Sequence, residues 1–158
     1  SRFFFFFCVM LMAVKQRRIT MDNKNSSRRI QPLYDSKGCI MSLIEIEYDD
    51  NGHEIKYTKY NLDGSKDWWI EKEYDENGNE IKYICYNSDG SIAIWSETEY
   101  DCKGDQQAFT EYYPHGSIKR IREYDKDKNI IKCTYYNPDG EIVSVKDEVY
   151  HKQYEKKI

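Results

Sequence analysis

The chain has 158 residues, a length that suits one domain, and 33% of its residues are charged. Its 15 tyrosines, six phenylalanines and three tryptophans exclude a disordered chain, because disordered segments are poor in aromatic residues. The net charge of -4, with both signs interspersed, excludes the basic stripe that typifies a nucleic-acid-binding protein.

Residues 1–30 form a predicted non-repeat segment that differs from the rest of the chain. An apolar run over residues 3–14 is too short to span a bilayer, which takes about 20 residues. A signal peptide would carry its strongest positive charge before the run, and here the strongest positive charge follows it. Two interpretations stay open. Met21 is the true start of a cytoplasmic protein, or the run is a clipped signal or anchor of a secreted or surface protein, in which case a membrane partner becomes possible.

Residues 31–151 form a predicted repeat domain in which two turn patterns alternate. The first reads Tyr-Asp-x-x-Gly, as in residues 48–52, and the second reads Tyr-Asn-x-Asp-Gly, as in residues 60–64. From Gly38 to Gly116 the turn glycines are spaced alternately by 14 and 12 residues, so like turns recur every 26 residues, which is typical of a repeat architecture. The last full unit is two residues shorter. The glycines assigned to turns are Gly38, Gly52, Gly64, Gly78, Gly90, Gly104, Gly116 and Gly140.

The residues within these turns predict their geometry. The order Asn137, Pro138, Asp139, Gly140 is the one that a type I turn prefers. A type I turn followed by a glycine in the left-handed region makes a hairpin with a G1 bulge. Lys128 occupies a glycine position of the last full repeat, where its side chain should resist a positive φ.

Nine such turns predict an all-β fold, an antiparallel β-hairpin array of about ten strands in a single-layer or curled sheet. Alternation within the sixth predicted strand places Ile92, Ile94 and Tyr100 on one face. Trp68 and Trp69 are adjacent, so either a bulge resets the alternation or both faces carry aromatic rings. Residues 152–158 form a predicted charged tail.

The segment EYDENGNEIKYICYNSDGSI, residues 73–92, resembles the Tyr-Asp units of RHS/YD-repeat proteins, and residues 111–120 are similar to MORN-type hairpin repeats. The first resemblance implies part of a large β-shell around a secreted toxin, or a surface array with carbohydrate binding. The second implies a surface that binds lipids or proteins, as in some antitoxin-like proteins. Neither resemblance supplies a catalytic residue.

Reactive side chains show no pattern typical of an enzyme. The histidines His53, His115 and His151 lack metal-ligand spacing. Asp and Asn in the turns, such as Asp49 and Asp75, are the residues that turns need for themselves rather than calcium ligands. The five cysteines, which include no Cys-x-x-Cys motif, are predicted to be free thiols. We therefore expect no catalytic residue, no metal and no cofactor.

Aromatic residues at matched repeat positions are the candidate binding residues, because exposed rings stack on sugars and anchor protein partners. They are Tyr57, Trp68, Trp69, Tyr83 and Trp95. The other interpretation is that these rings form the core. The sequence thus predicts a non-enzymatic repeat scaffold that binds a protein, with carbohydrate as a possible partner and nucleic acid as none. The alternatives are a fragment of a larger RHS-like secreted or cell-surface protein and a MORN-type antitoxin-like interaction protein.

Overall fold

The structure, a computed structural model, describes residues 27–147, so the apolar run, Met21 and the predicted tail lie outside the described residues. All regular secondary structure in this range is β-strand. The strands are β1 (Ser27–Tyr34), β2 (Ile40–Tyr48), β3 (Glu54–Tyr60), β4 (Lys66–Tyr74), β5 (Glu80–Asn87), β6 (Ile92–Tyr100), β7 (Gln106–Tyr112), β8 (Ile118–Tyr124), β9 (Ile130–Tyr136) and β10 (Ile142–Asp147).

The sheet is an antiparallel meander whose strand order follows the chain from β1 to β10. The predicted all-β hairpin array of about ten strands is confirmed. The first strand begins at Ser27, within the segment that the sequence set apart as residues 1–30. The chain divides between Trp69 and Ile70 into two compact units.

One backbone pattern joins each strand to the next. In the turn that starts at Asp49, the Asp49 N–H donates to the carbonyl of His53 at 2.9 Å, and the Gly52 N–H donates to the carbonyl of Asp49 at 3.1 Å. Gly52 has a φ of 87°, in the left-handed region. The same two hydrogen bonds recur in all nine turns, so the predicted G1-bulged hairpins are confirmed. Lys128 takes the glycine place with a φ of 64°.

In seven strand pairs a second bulge follows the turn and resets the alternation of side chains. In the β5–β6 pair, Cys85 lies opposite Ile94 and Tyr86 lies opposite Ile92, so Ala93 is the extra residue. Cys85 and Tyr86 are consecutive, and therefore Ile92 and Ile94 point to opposite faces. The prediction that they share a face is wrong, because the alternation is broken between them. The extra residues of these seven pairs are Met41, Ile55, Ala93, Gln107, Lys119, Ile131 and Val143.

In the first unit, β2 is the most buried strand. Ile44 is 0% exposed and Ile46 is 7% exposed, and they lie on one face of the strand. Glu45 lies on the other face, directly opposite the buried Thr58 of β3. Its carboxylate pairs with the Arg28 guanidinium and accepts a hydrogen bond from the Tyr60 hydroxyl at 2.7 Å. Burying this charge is therefore compensated on the same face.

In the second unit, the buried residues are small and mostly polar. Thr110, Ile121 and Thr134 are opposite one another across β7, β8 and β9, and both threonines are buried. Cys133, next to Thr134, is 5% exposed on the other face. Both faces of this sheet therefore hold central side chains that neighbouring strands cover, while larger rings stay half-buried around them.

Candidate binding surface

Two of the candidate aromatic residues stack on each other in the first unit. The rings of Tyr57 and Trp68 have centroids 5.4 Å apart and an interplanar angle of 12°. Trp69, the next residue on β4, points to the opposite face, where the Lys66 ammonium lies 4.5 Å from its ring centroid. All three rings are half-buried. The candidate residues of this unit therefore occupy both faces of the sheet rather than one.

The second unit repeats this division. Trp95 lies opposite Tyr112 in the register, and their rings stack with centroids 4.3 Å apart at an angle of 21°. Tyr83 lies opposite Ser96, the neighbour of Trp95, and so points to the other face. Burial raises the pKa of the Tyr83 hydroxyl above its usual value. Of the two explanations for the aromatic pattern, a reset alternation and rings on both faces, the structure shows both.

A carboxylate joins the two stacked rings of the second unit, and sequence reasoning missed it. The Tyr112 hydroxyl donates to Glu97 Oε2 at 2.7 Å, and the Trp95 indole N–H donates to Glu97 Oε1 at 3.3 Å. Burial first, and then the hydrogen bond to Glu97, hold the pKa of Tyr112 well above 10. The arrangement makes Tyr112 a firm hydrogen-bond donor and fixes the ring that Trp95 stacks on.

The repeat period contained a signal for this motif. Tyr60 donates to Glu45 in the first unit as Tyr112 donates to Glu97 in the second, and each pair is separated by 15 residues. The two pairs lie two repeats apart in the sequence. A search for polar residues that keep the repeat period, rather than aromatic residues alone, would have found them.

The other face of the second unit carries a group of cations over rings that the sequence analysis did not single out. The Arg122 guanidinium lies 5.5 Å from the ring centroid of Phe109. The Arg120 guanidinium and the Lys146 ammonium lie 5.9 Å and 5.6 Å from that of Tyr135. Cation–π contacts of this kind hold long side chains flat on the sheet.

The turn carboxylates are used by the turns themselves. Asp75 Oδ1 accepts hydrogen bonds from the backbone N–H groups of Asn77 at 2.9 Å and Asn79 at 2.8 Å, and Oδ2 accepts one from the Asn79 side-chain amide at 2.9 Å. These hydrogen bonds, the Asn79 side chain foremost, lower the pKa of Asp75. Across residues 27–147, no group of three or more His, Cys, Asp or Glu side chains is placed to hold a metal ion.

The second turn type uses a different acceptor. In residues 61–65, Asp63 Oδ1 accepts hydrogen bonds from the Ser65 N–H at 2.9 Å and from its hydroxyl at 2.6 Å. The Asn61 side-chain amide donates to the same hydroxyl at 3.0 Å. The turn that starts at Asn87 repeats the arrangement with Asp89 and Ser91. The Asp residues of both turn patterns are therefore local caps.

The described histidines also belong to turns. His53 Nδ1 lies 3.0 Å from Asp49 Oδ2 within one turn. The His115 ring stacks on Tyr113, with centroids 5.5 Å apart. The cysteines in the described part of the chain, Cys39, Cys85, Cys102 and Cys133, form no disulfide there. His151 and Cys8 lie outside the described residues.

Within residues 27–147 no helix has the length and apolar character to cross a membrane. None of the curated proteins matches the chain. Among solved structures, the chain is similar to a structure of the Photorhabdus luminescens Tc holotoxin pore, with 12% identity and a TM-score of 0.27. The alignment covers 75% of this chain and 9% of that chain.

A protein family matches the repeats themselves. Its matches fall at residues 34–77, 69–111 and 112–158, and together they take in well over half of the chain. The first two matches lie over successive hairpin units, in keeping with a repeat that a single family pattern describes several times over. The chain is a repeat protein that belongs to the family described as "Protein of unknown function (DUF2963)".

Proposed function

We propose that this chain is a non-enzymatic repeat scaffold that binds a protein partner through the aromatic residues of its sheet. The observation that supports the proposal is the exposure of the stacked pairs. Trp68 stacks on Tyr57 and Trp95 stacks on Tyr112, so the rings are held in fixed orientations. All four rings nevertheless remain partly exposed to solvent. Tryptophan and tyrosine dominate the residues that carry binding energy at protein interfaces, because a rigid ring loses little conformational entropy on binding.

The proposal assigns no catalytic role to any described residue. It includes the finer suggestion that the Tyr-Asp units are of the RHS/YD type and that the chain is one stretch of a longer repeat array. A continuous reading frame with more such units on either side would support that suggestion. An isolated frame bounded by unrelated genes would favour a short interaction protein of the MORN-like kind.

Intrinsic fluorescence tests the proposal directly, because the three tryptophans of the chain, Trp68, Trp69 and Trp95, are all candidate binding residues. A partner would first be isolated with the full chain as bait. Acrylamide quenching of the tryptophan emission would then be measured with and without that partner. We expect the partner to reduce quenching, since it covers the rings.

The matched variants for this test are Trp68→Leu and Tyr34→Leu. Tyr34 is 59% exposed and is not among the candidate residues, so its loss should leave partner affinity unchanged, while loss of Trp68 should weaken it about tenfold or more. Thermal unfolding of both variants controls for stability. Unaltered quenching on partner addition, together with equal affinities of the two variants, would contradict the proposal. Addition of soluble oligosaccharides in a parallel titration tests the carbohydrate alternative.

A further inference from the structure

One face of the second unit collects positive charge in an otherwise acidic molecule. Two rows of directly opposed residues form this face. The first row is Phe109, Arg122, Cys133 and Lys146, and the second is Glu111, Arg120, Tyr135 and Ser144. We call Phe109, Arg120, Arg122, Tyr135 and Lys146 the basic face. Its rows contain three cations and one carboxylate.

The opposite face of these strands and of β6 has the reverse charge, whereas β6 adds only the neutral Ser96 and Thr98 to the basic side. Its rows run from Glu97 through Thr110, Ile121 and Thr134 to Val145, and from Glu99 through Ala108, Glu123 and Lys132 to Asp147. They contain four carboxylates and one cation, and a second cation, Lys82 of β5, lies opposite Glu97. Lys132 is paired with Glu123 there at 2.8 Å. The sheet therefore separates charge between its faces although the sequence intersperses it.

The cations of the basic face differ in the groups that they contact. Arg120 forms an ion pair with Glu111. Arg122 and Lys146 instead lie over the rings of Phe109 and Tyr135. A ring holds a cation in place without neutralising it, so the guanidinium of Arg122 keeps N–H donors for a second, anionic partner.

We propose that the basic face binds an acidic polypeptide segment of the protein partner, an inference that rests on the proposed function. Residues two apart on a strand are about 7 Å apart and residues two strands apart are about 10 Å apart, so the three cations cover an area of two or three extended peptide residues. Guanidinium groups bind carboxylates in a bidentate manner, which suits Asp and Glu side chains.

Charge argues for a peptide over a nucleic acid. The chain carries a net charge of -4, and the face behind the basic face is acidic, so a long polyanion is repelled by most of the molecule. A short acidic segment touches only the basic face, where local attraction acts within a Debye length of about 8 Å at physiological salt. Phe109 and Tyr135 add apolar contact to the same segment.

Fluorescence anisotropy with a labelled oligoglutamate peptide tests the inference on the full chain. We expect binding that weakens as salt is raised. The double variant Arg122→Ser/Lys146→Ser should weaken it about fivefold to tenfold, as the loss of two surface charge contacts implies. The control is Lys82→Ser/Lys132→Ser, which removes the same charge from the opposite face and should change affinity by less than about twofold.

Circular dichroism and thermal unfolding establish that each double variant is folded. If the Arg122→Ser/Lys146→Ser variant does not fold, the single variant Lys146→Ser replaces it, because Lys146 is exposed on the last described strand. The single variant should still weaken binding measurably. Equal losses in the two double variants would overturn the inference, as would tighter binding of an oligothymidine of equal length. Absence of oligoglutamate binding with partner-dependent quenching intact would overturn it while leaving the scaffold proposal standing.

Discussion

At the residue scale, the two turn patterns solve one backbone problem with different side chains. In turns of both patterns a side chain accepts a hydrogen bond from the amide of the fifth residue, while the fourth residue has a positive φ. Asp75 does this from the first position of its turn, and Asp63 does it for Ser65 from the third. The alternation of Tyr-Asp and Tyr-Asn along the chain is therefore an alternation of capping chemistry.

Lys128 is the one described residue other than glycine with a positive φ, and its replacement should stabilise the protein. A side chain in the left-handed region costs roughly 1–2 kcal/mol. Replacing it with glycine recovers only part of this free energy, because glycine loses more conformational entropy on folding. We expect Lys128→Gly to raise the free energy of unfolding by about 1 kcal/mol in urea denaturation. Lys126→Gly, two positions earlier in the same turn, is the control and should lower it. A lower stability for Lys128→Gly would contradict this account.

The capping carboxylates should make the protein acid-sensitive. The pKa of Asp75 is lowered by the hydrogen bonds of Asn79, so the folded state holds its proton less tightly than the unfolded state does. The contribution of Asp75 to stability is therefore complete above its pKa in the unfolded state. It is lost as pH falls through its pKa in the folded state, which lies below 3.8. We expect thermal unfolding of Asp75→Asn to depend less on pH below 5 than that of the wild type. Glu76→Gln, an equal charge change in the same turn, should keep the wild-type dependence.

At the element scale, a turn with a G1 bulge joins consecutive strands, and in seven strand pairs a second bulge follows the turn. Val143, the extra residue of β10, is 66% exposed, and Met41, that of β2, is 60% exposed. A bulge leaves one side chain outside the alternation, so the sequence of each strand reads out of phase with its faces. This is why a run such as Ile92 to Ile94 misleads an argument from alternation alone.

The hydrogen bond from Tyr112 to Glu97 links β7 to β6, and its loss should be measurable. We expect Tyr112→Phe to lower the free energy of unfolding by about 1.5 kcal/mol, the contribution of a hydrogen bond to a charged group. Because the pKa of Tyr112 is raised above 10.0, that contribution is complete below pH 10 and is lost at higher pH. Chemical denaturation at pH 7 measures the loss. Tyr34→Phe, at a hydroxyl on a 59% exposed side chain, should unfold as the wild type does, and an equal loss there would contradict the assignment.

At the scale of the whole molecule, the described strands pair with their neighbours in sequence, in the order β1 to β10. Such an array has no single deep core, because each hairpin contributes a few buried residues to its neighbours. Among residues 27–147, the buried hydrophobic positions are Ile44, Ile46 and Cys133. Stability should therefore vary along the array with the number of neighbours each strand has.

Hydrogen exchange should show this variation within the second unit. Strand β9 is bonded to β8 and β10, whereas β10 ends the described strand order and most of its residues are exposed. We expect amides in residues 130–136 to exchange more slowly than those in residues 142–147, since inner strands open only with larger cooperative units. Mass spectrometry of peptic fragments measures the two rates. Equal protection of both strands would show that another segment covers β10.

The sequence by itself determined the turns, the strand count and the meander. These features are local: Asp49 to His53 or Asn61 to Ser65 contains all the atoms that close its turn, and the period of 26 residues repeats that information. The left-handed position of Lys128 was predictable for the same reason.

Tertiary structure alone decided which side chains meet. The candidate rings Trp68 and Trp69 lie on opposite faces, and Arg122 meets Phe109 only because β8 pairs with β7 in one register. Each bulge shifts that register by one residue, and a shift of one residue moves every later side chain to the other face. The bulges that precede a residue along the chain therefore determine which residue it meets on the next strand. No local sequence pattern contains that information.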